Sequence, residues 1–484
     1  MSAILKSIEI GNFKSFDHIK LDLDRLNVVV GPNGSGKTNL LEGIQLAFGC
    51  INYNSPSDYP FISFWGYNNA VHNSDSKRPI TFKFQLSIDS YEVTYESKIS
   101  GAGSFLRFIE ENIIIEGFLE LKRLGSRLMI NYTTQAIHKI NLQKEFLKEL
   151  QMLRQAFMGE KSDSLDESLT IEAMNISIDG IDESKSAFSF LSFNLYLSTK
   201  TRHGKTQYGM FMLEPSHGNQ NIPAKKPFIL VSPIVPVISD NTKSGRRVFI
   251  PLIEYISSFF SYNISPLSMV NNSRNKMDRL RVILVRHSSI YGMKEPVPLN
   301  RPYEGLLSGE VAISWLFNKF NENGGLFPEK IKRAMEDLFP NWQLGFRVTE
   351  DGNILLQIKE INPGSGTLTL LPPSIPDGLF KLLLIMTAIE MHPSILLIDE
   401  IENSLHDSII QYVMDSLRES GVTTIVTTHS SMVVDRSELN ELRIIEKIDG
   451  ESIIKSISKP VQMKKKLLEL GITPSDSWLY GELA

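Results

Sequence analysis

Residues 31–38 constrain the fold more than any other segment, because they read G-P-N-G-S-G-K-T. This is the Walker A pattern, in which glycines let the loop curl and point backbone N–H groups at a phosphate. In it Lys37 would reach the β- and γ-phosphates, and the Thr38 hydroxyl would ligate Mg²⁺. The apolar run LNVVV before the loop predicts a buried strand, and residues 38–48 predict an amphipathic helix. Strand, loop and helix together predict the α/β fold of a nucleotide-binding unit.

Two acids near residue 400 follow a second short apolar run, since residues 395–400 read I-L-L-I-D-E. This is the Walker B arrangement, in which Asp399 would hold Mg²⁺ through water and Glu400 would polarise the attacking water as general base. Alone, such a segment could be a strand whose polar end only reaches solvent. The phosphate loop elsewhere in the chain favours the functional interpretation.

A histidine ends a third predicted strand, in residues 422–429, which read V-T-T-I-V-T-T-H. Ligand-facing groups gather at the carboxyl ends of strands in a parallel sheet. His429 could therefore contact the γ-phosphate or orient Glu400, and the pattern leaves both roles open. A histidine at a strand end can also be purely structural, but its position about thirty residues after the acids favours a role in the site.

Composition sets the class of protein. The chain has 484 residues, of which 42% are hydrophobic, and a formal charge of −5, which excludes extensive disorder and predicts two to four domains or one domain with inserts. A single cysteine, Cys50, excludes a disulfide scaffold and fits a reducing compartment. No signal peptide and no apolar run of membrane-spanning length is present, so we expect a cytoplasmic protein without a membrane partner.

Residues 80–135 alternate polar and apolar side chains and predict an antiparallel sheet. Helical spacing marks three further segments, residues 142–158, 247–262 and 309–320, and an apolar helix is predicted for residues 377–391. The expected fold is α/β with a mixed sheet, an antiparallel β subdomain and a mixed helical insert. No sustained heptad pattern appears, so a long coiled coil is not expected.

The three motifs in this order resemble the ABC-type ATPases, in particular the branch of the RecF, SMC and OLD-family ATPase heads. The resemblance rests on I-E-I-G-N-F-K-S-F at residues 8–16, on the phosphate loop with its flanks, and on I-D-E-I-E-N-S-L-H at residues 398–406. In the last motif Ile401 stands where the family usually has proline. The likeness covers about the first 50 and the last 120 residues, and it implies an ABC-ATPase P-loop fold.

The resemblance also implies roles for individual residues. Lys14 and Ser15 fall on a turn that touches nucleotide in this family, and residues 404–407 fall on the D-loop, which crosses a dimer interface. The phosphate-loop residues that would bind nucleotide are Asn33, Gly34, Ser35, Gly36, Lys37, Thr38 and Asn39.

The signature motif is the segment in which the sequence departs from the family pattern. Residues 376–381 align with the family signature S-D-G-T-L-R, so that Asp377 and Gly378 would face the γ-phosphate bound by the other subunit. Pro376 replaces the usual serine and supplies neither a hydroxyl nor an N–H. Ser374 lies two residues upstream. Gln85 is a candidate for the Q-loop glutamine, although its spacing does not single it out.

The resemblance predicts a split ATPase head, made of residues 1–135 and 340–484, around an insert of residues 136–339. The insert would be a mainly helical arm or a partner-binding subdomain. In OLD nucleases a nuclease domain follows the histidine, and the 55 residues after His429 are too few for one, so a head without a nuclease domain is expected.

The function expected from the resemblance is that of an ATPase whose heads form a homodimer around ATP and Mg²⁺. Hydrolysis would be coupled to work on DNA in repair, maintenance or defence against foreign DNA. The alternative is a slow ATPase switch or scaffold that regulates an effector protein, a nuclease or toxin, without binding DNA. A transporter ATPase is disfavoured because the signature is far from L-S-G-G-Q. Basic residues cluster at 243–247, 274–281 and 464–466, and each cluster is interpreted first as a solvated face. If the two middle clusters faced one groove of a dimer, they could instead follow a phosphate backbone.

Overall fold

The structure is a computed structural model that describes residues 3–51, 59–88, 91–103, 105–116, 119–124, 127–133, 173–178, 194–202, 205–213, 228–230, 282–299, 308–362 and 366–483. The chain divides into two units by its internal contacts. Unit 1 comprises Met1–Lys20 and Leu46–Leu280, and unit 2 comprises Leu21–Gln45 and Arg281–Ala484. The predicted helices at residues 142–158 and 247–262 and the basic clusters at 243–247 and 274–281 lie outside the described residues.

Unit 1 contains an eight-stranded sheet in the order β2-β1-β4-β5-β6-β7-β8-β9. Each pair of neighbouring strands from β1 and β4 through to β8 and β9 is antiparallel. The strands are β1 (Ala3–Phe13), β2 (Phe16–Asp22, whose last residues belong to unit 2), β4 (Ile80–Ile88), β5 (Tyr91–Ser100), β6 (Arg107–Ile115), β7 (Leu119–Leu124), β8 (Arg127–Thr133) and β9 (Ala173–Ile178). A three-stranded antiparallel sheet joins β10 (Asn194–Arg202), β11 (Lys205–Leu213) and β12 (Phe228–Leu230).

The period-two pattern explains the larger sheet. In β4 the side chains of Ile80, Phe82, Phe84 and Leu86 are buried, and those between them are half-buried. Phe84 stacks on Tyr95 of the neighbouring strand with ring centroids 6.0 Å apart, a cross-strand pair of the kind that stabilises sheets. The predicted antiparallel β subdomain is therefore confirmed.

A turn-rich segment of unit 1 places its aromatic side chains unevenly. It contains a 3₁₀ turn (Ile62–Phe64), the short helix α2 (Tyr67–Ala70) and a second 3₁₀ turn (His72–Ser74). Phe61 and Tyr67 are buried and make an edge-on pair at 5.1 Å. Trp65 is 93% exposed and adopts a left-handed backbone with φ of 60°. The segment thus contributes both to the core and to the surface of unit 1.

Unit 2 is built on a six-stranded sheet in the order β13-β18-β19-β3-β20-β21. The strands from β13 to β20 run parallel, and β21 pairs antiparallel with β20. Three of these strands are buried at every position, as expected for a parallel sheet covered on both faces. The strands are β13 (Val282–Val285), β18 (Ile395–Ile398), β19 (Thr423–Thr428), β3 (Leu26–Val30), β20 (Leu442–Ile448) and β21 (Glu451–Ser456).

A smaller antiparallel sheet and several helices complete unit 2. The sheet contains β14 (Val297–Pro298), β15 (Trp342–Val348), β16 (Asn353–Asn362) and β17 (Gly366–Leu370), with β16 pairing to the other three. The helices are α1 (Lys37–Ile51, which ends in unit 1), α3 (Ser289–Lys294), α4 (Gly309–Glu322), α5 (Glu329–Leu338), α6 (Asp377–Glu390), α7 (Asp407–Glu419), α8 (Ser431–Asp435), α9 (Pro460–Leu470) and α10 (Pro474–Leu479). Pro372–Ser374 forms a 3₁₀ turn before α6.

The predicted elements around the motifs are confirmed within about three residues. The strand before the phosphate loop, the apolar helix at 377–391 and the strands before Asp399 and His429 all appear. The α/β class with a mixed sheet is confirmed as well. The boundaries of the split head and of the insert remain a prediction, because much of residues 136–281 lies outside the described part.

Candidate functional site

Strand register in unit 2 gathers the predicted motifs at one edge of the parallel sheet. Ile398 lies opposite Val285 on one side and Val426 on the other, so Asp399 comes beside Arg286 and Thr427. On the next strand Thr428 lies opposite Val30, so His429 comes beside the start of the phosphate loop. The carboxyl ends of parallel strands are where such sheets bind ligands. The loop, the two acids and the histidine therefore converge although about 360 residues separate the first from the second.

The phosphate loop has the curled backbone that its glycines predict. Gly34 and Gly36 adopt φ of 78° and 107°, a region in which a side chain would be strained. Helix α1 begins at Lys37, so its free N–H groups lie at the end of the loop. The side chain of Ser35 is buried, and its Oγ has no hydrogen-bond partner in the described structure. A buried hydroxyl without a partner fits a loop that donates to phosphate oxygens.

Lys37 is the buried cation of the loop, with 7% of the residue exposed. Its Nζ donates to the carbonyl oxygens of Gly31 and Pro32 at 2.7 and 2.9 Å. Burial lowers the pKa of Lys37, while the carboxylates of Glu400, Glu402 and Asp399 act in the opposite direction. The influence of these carboxylates on Lys37 indicates that the acids and the lysine of the phosphate loop lie in one electrostatic environment.

The other phosphate-loop residues named by the motif are more accessible. Asn33, Gly34 and Thr38 are exposed, and Asn39 is half-buried. Thr38 is thus open to a ligand at the first turn of α1.

Asp399 is tied into the sheet edge by two contacts. Its backbone N–H donates to the Val285 carbonyl at 2.9 Å, and its Oδ1 accepts from the Thr427 hydroxyl at 2.7 Å. The carboxylate remains half-buried. A carboxylate and a hydroxyl suit Mg²⁺, which takes one or two protein oxygens and fills the other positions with water and phosphate. Among the described residues, no group of three or more His, Cys, Asp or Glu side chains is arranged to hold a metal.

Glu400 has an unusual backbone, with φ of 47°, and such a conformation in a residue other than glycine is typical of functional sites. Its N–H donates to Thr427 Oγ1 at 2.9 Å. The Asn403 side-chain amide donates to Glu400 Oε2 at 2.5 Å. One buried threonine hydroxyl therefore accepts from the backbone of the predicted base and donates to the side chain of the predicted metal ligand.

His429 is held by Glu402. Its backbone N–H donates to Glu402 Oε1 at 2.9 Å, and its ring Nδ1 lies 3.0 Å from the same oxygen. The histidine side chain is 46% exposed, while that of Glu402 is 11% exposed. The predicted histidine thus lies at the sheet edge with one ring nitrogen fixed by a carboxylate.

Lys381 is a second buried cation beside the acids, and it is fully buried. Its Nζ donates to the Asp399 carbonyl at 3.3 Å. Burial lowers the pKa of Lys381 to about 8, although Asp399, Glu402 and Glu400 act in the opposite direction. A lysine in this environment stays inside the protein because three carboxylates offset part of its desolvation cost.

The predicted signature segment lies at the start of α6. The carboxylate of Asp377 pairs with the Lys294 ammonium, whose charge also lies 5.8 Å from the centre of the Phe380 ring. A Cβ added to Gly378 would lie 2.4 Å from the Ser404 carbonyl oxygen. The glycine therefore lets the predicted D-loop backbone approach the helix. Pro376 caps the helix without a side-chain hydrogen bond, and Ser374 is exposed on the preceding turn.

The predicted D-loop, residues 404–407, begins with a left-handed residue, since Ser404 has φ of 64°. Its hydroxyl lies 3.5 Å from His287 Nδ1. At its other end His406 caps α7, and Asp407 pairs with Arg436 at 2.5 Å. The segment is thus anchored at both ends within unit 2.

Three residues implied by the family resemblance belong to unit 1. Lys14 is left-handed with φ of 46°; its N–H donates to Ala70, and its carbonyl accepts from His72 Nδ1, both at 2.8 Å. Its ammonium lies 4.9 Å from the Phe64 ring centre. Ser15 follows it and is half-buried. Gln85 lies on β4 and accepts from the Ser7 hydroxyl at 2.9 Å.

Sequence reasoning gave no role to four residues at the sheet edge, Thr427, Glu402, Lys381 and Arg286, although Glu402 and Lys381 lie within the quoted family motifs. Arg286 follows β13 and pairs with Glu42 of α1 at 2.9 Å. For Thr427 and Glu402, proximity to motif residues was a usable signal. Nothing in the sequence indicated that β13 pairs with β18 and so brings Arg286 beside Asp399, because this pairing depends on the order of strands in the sheet.

Comparisons with known proteins match both ends of the chain. A family model described as an AAA ATPase domain matches residues 4–221. A second AAA-domain model, whose description names the AbiEii toxin and Type IV TA systems, matches residues 311–435. Within the described part of the chain, no helix is long and apolar enough to cross a bilayer.

Individual relatives cover limited stretches. The DNA replication and repair protein RecF of Oceanobacillus iheyensis is 24% identical over 174 residues, which are 33% of this chain and 47% of RecF. The chromosome partition protein Smc of Desulfitobacterium hafniense is 53% identical over 51 residues, which are 10% of this chain and 4% of Smc. The chain thus spans less than half the length of these relatives.

A solved structure with a likeness over most of the chain is an Smc head domain with an extended coiled coil, bound to the C-terminal domain of ScpA, from Pyrococcus furiosus. The two are 12% identical with a TM-score of 0.42, and the comparison covers 97% of this chain and 99% of that chain.

Proposed function

We infer that the chain belongs to the ABC-type ATPases of the RecF and SMC branch, and from this premise we propose that it binds ATP with Mg²⁺ at the sheet edge of unit 2 and hydrolyses it. The observation that carries the proposal is the strand register, which brings the phosphate loop, Asp399 and His429 to one edge. The influence of the acids on the pKa of Lys37 supports it.

Nucleotide binding would rest on the loop amides, the Ser35 hydroxyl and Lys37. Asn33, Gly34, Gly36 and Asn39 would line the same loop. The amides and asparagine side chains can donate hydrogen bonds to a phosphate, and the glycines let the backbone come close to it. We propose that Lys14 and Ser15 also contact the nucleotide, which rests on the family resemblance alone.

Thr38 and Asp399 would hold Mg²⁺, which when bound neutralises charge that develops on the phosphate oxygens. Glu400 would accept the proton of the attacking water, and the Asn403 amide bound to its Oε2 leaves Oε1 for that water. Thr427 would keep Asp399 and Glu400 in a fixed relation, because its hydroxyl bonds to both residues. His429 would contact the γ-phosphate or the water.

The proposal extends to a dimer in which ATP lies between two heads. Asp377 and Gly378 would face the γ-phosphate held by the partner, and residues 404–407 would lie at the interface. Support comes from the packing of Gly378 on the Ser404 backbone, which makes the signature and the D-loop one surface. The relatives' names, DNA replication and repair and chromosome partition, support DNA-related work as the output.

The first test is ATP binding by the purified chain. Lys37→Ala removes a charge-assisted contact to phosphate, worth about 1.5–3 kcal/mol, so ATP affinity should fall by roughly 10- to 100-fold. Equilibrium titration with a fluorescent ATP analogue measures this change. Lys464→Ala, on the exposed face of α9, is the matched control and should bind as the wild type does. Equal affinity in wild type and Lys37→Ala would contradict nucleotide binding at this loop.

A second candidate is a slow ATPase switch that regulates an effector nuclease or toxin without binding DNA. Two observations favour it: Pro376 offers no hydroxyl or N–H, and the Asp377 carboxylate is paired with Lys294. Both weaken a contact with a γ-phosphate held by a partner. If the wild type shifts the electrophoretic mobility of a DNA duplex only when ATP is present, and Lys37→Ala does not shift it, DNA-related work is supported. ATP-dependent assembly without any shift would support the switch.

A further inference from the structure

Glu402 makes the two contacts that fix His429, and neither the motif nor the family resemblance gave it a role. One oxygen, Oε1, accepts from the His429 backbone N–H at 2.9 Å and lies 3.0 Å from the ring Nδ1. The same atom thus sets both the backbone and the ring of the histidine. The remaining ring nitrogen, Nε2, is the one left for a ligand.

The chemistry of this contact selects a tautomer. An ionised carboxylate only accepts hydrogen bonds, so the Nδ1 atom that contacts it must carry the proton. In the neutral ring Nε2 then has a free lone pair, and it can accept from water or take up a proton. A carboxylate that holds the other ring nitrogen is the usual device for fixing which nitrogen of a histidine reacts.

The burial of Glu402 indicates that it has more than a packing role. Its side chain is 11% exposed, and Oε2 is buried without a hydrogen-bond partner among the described residues. An unpaired buried carboxylate oxygen costs free energy, and such groups in native structures call for a functional explanation. Burial lowers the pKa of both Lys37 and Lys381, and the charge of Glu402 opposes this lowering at both, so its charge belongs to the acid cluster of the site.

The position of Glu402 in the chain connects three functional segments. It lies two residues after Glu400, and its carbonyl accepts from the Leu405 N–H at 3.1 Å, inside the predicted D-loop. A displacement of the D-loop would therefore move the carboxylate that holds His429.

We propose that Glu402 is a positioning residue for ATP hydrolysis, which holds His429 as the Nδ1–H tautomer so that Nε2 faces the reaction. This inference rests on the proposed ATPase function, because it assigns His429 a part in hydrolysis. Glu402 acts through the histidine and does not itself contact the phosphates.

The first test needs no nucleotide. Chains labelled with ¹⁵N-histidine report the tautomer of each ring through long-range ¹H–¹⁵N correlations, and His429→Gln identifies the His429 signals among the nine histidines. Wild type should show Nδ1–H at His429. Glu402→Ala should lose this preference, and Glu402→Gln should keep it, because the amide oxygen still accepts. An unchanged tautomer in Glu402→Ala would overturn the inference.

The second test is turnover. Glu402→Ala should lower kcat about tenfold or more with ATP affinity changed less than twofold, while Glu402→Gln should recover most of the rate. Glu446→Ala, which removes an exposed partner of Lys455, controls for loss of surface charge. A loss of rate in Glu402→Ala that Glu402→Gln does not recover would overturn the inference.

The two proposals can fail separately. If the wild type does not hydrolyse ATP, the proposed function fails even when the tautomer behaves as expected. The thermal unfolding profile of Glu402→Ala shows whether this variant folds. If it does not, Glu402→Gln and Glu402→Asp replace it in the test. The Nδ1–H tautomer must persist in Glu402→Gln and must become less populated in Glu402→Asp, because the shorter side chain withdraws the acceptor. Any other pattern contradicts the role of Glu402.

Discussion

At the scale of single residues, Thr427 links the two acids of the site. Its hydroxyl accepts from the Glu400 N–H and donates to Asp399 Oδ1, and the residue is fully buried. No other side chain in the described part of the site bonds to both acids. The positions of the predicted metal ligand and the predicted base therefore depend on one hydroxyl group.

Thr427→Val keeps the shape of the side chain and removes this hydroxyl. A buried N–H and a carboxylate oxygen each lose a partner, so the free energy of unfolding should fall by about 1–3 kcal/mol. The value of kcat should fall by roughly tenfold or more, since the base and the metal ligand lose their shared anchor. Urea denaturation and steady-state ATPase assays measure the two effects. Thr427→Ser retains the hydroxyl and should stay close to wild type; equal losses in both variants would contradict this role.

Lys381 makes stability depend on pH. Its pKa is about 8 in the folded chain, whereas a lysine exposed to water, as in the unfolded chain, has a pKa of 10.5. Between these values the unfolded chain binds more protons, so stability rises with pH through this window. The desolvation cost of the ammonium is fully present below pH 8 and is removed above the unfolded pKa.

Comparison with Lys381→Met isolates this effect. From pH 7.5 to 10, wild type should gain stability relative to the variant, up to on the order of 3 kcal/mol. Urea denaturation midpoints of both proteins in EDTA measure the difference. Parallel pH curves for the two proteins would show that Lys381 does not titrate in this range.

The sequence predicted those site residues whose identity is set by chemistry. Lys37, Asp399 and His429 were singled out because only certain side chains bind phosphate or metal, and because they follow apolar runs; the structure brings them to one edge of the sheet, and their roles remain a prediction. Thr427 and Glu402 were missed because a threonine in VTTIVTT or a glutamate after DEI has many ordinary explanations. Proximity to the motifs could have marked both residues, but their contacts depend on side-chain direction, which requires the register of neighbouring strands.

At the scale of elements, the start of α6 packs directly on the backbone of the predicted D-loop. Gly378 permits this contact, because any Cβ at this position would lie 2.4 Å from the Ser404 carbonyl oxygen. Helix and loop cannot both stay in place if the glycine acquires a side chain.

Gly378→Ala should therefore force the predicted D-loop away from α6. We expect a loss of about 1–3 kcal/mol in the free energy of unfolding, as for other overpacked positions, together with reduced turnover. The matched control is Gly49→Ala in α1, where an added Cβ meets nothing within 4 Å. That variant should be neutral or more stable by roughly 0.5–1 kcal/mol. Calorimetric scans of both variants measure the change in stability. Equal stability of Gly378→Ala and Gly49→Ala would contradict the close contact between α6 and the predicted D-loop.

The order of elements was only partly predictable. Short apolar runs identified the parallel strands, and alternation identified the antiparallel sheet of unit 1. The neighbour of β18 was not predicted, since β13 lies more than a hundred residues before it in the chain. Local periodicity carries no information about such distant pairings, and for this reason Arg286 was missed.

At the scale of the whole molecule, the proposed function requires two copies of the chain. Glu400→Gln should bind ATP but turn it over slowly, so that the closed dimer accumulates. With saturating ATP and Mg²⁺, light scattering should then give about twice the 54.7 kDa of one chain. Lys37→Ala combined with Glu400→Gln should stay at the smaller mass when ATP is just enough to saturate Glu400→Gln, because the expected loss of affinity leaves most of the double variant without nucleotide. A Glu400→Gln variant whose mass ignores ATP would exclude the sandwich mechanism.

Prediction was weakest for the middle of the chain. The composition of residues 136–281 mixes short strand-like and helix-like runs, and no single period dominates there. The strands beside the motifs are strongly patterned because β3, β18 and β19 are buried at every position. The sequence of the middle shows no comparable pattern, and its domain boundaries remain a prediction.

The exposed Trp65 gives the chain an intrinsic optical probe. Of the four tryptophans, Trp65 alone belongs to unit 1, and the others are Trp315, Trp342 and Trp478 in unit 2. With 93% of its surface accessible, its emission should be red-shifted and readily quenched by acrylamide, in contrast to Trp315, which is 4% exposed. Any macromolecule that settles on this face of unit 1 would shield the indole, so fluorescence could follow its arrival without a chemical label.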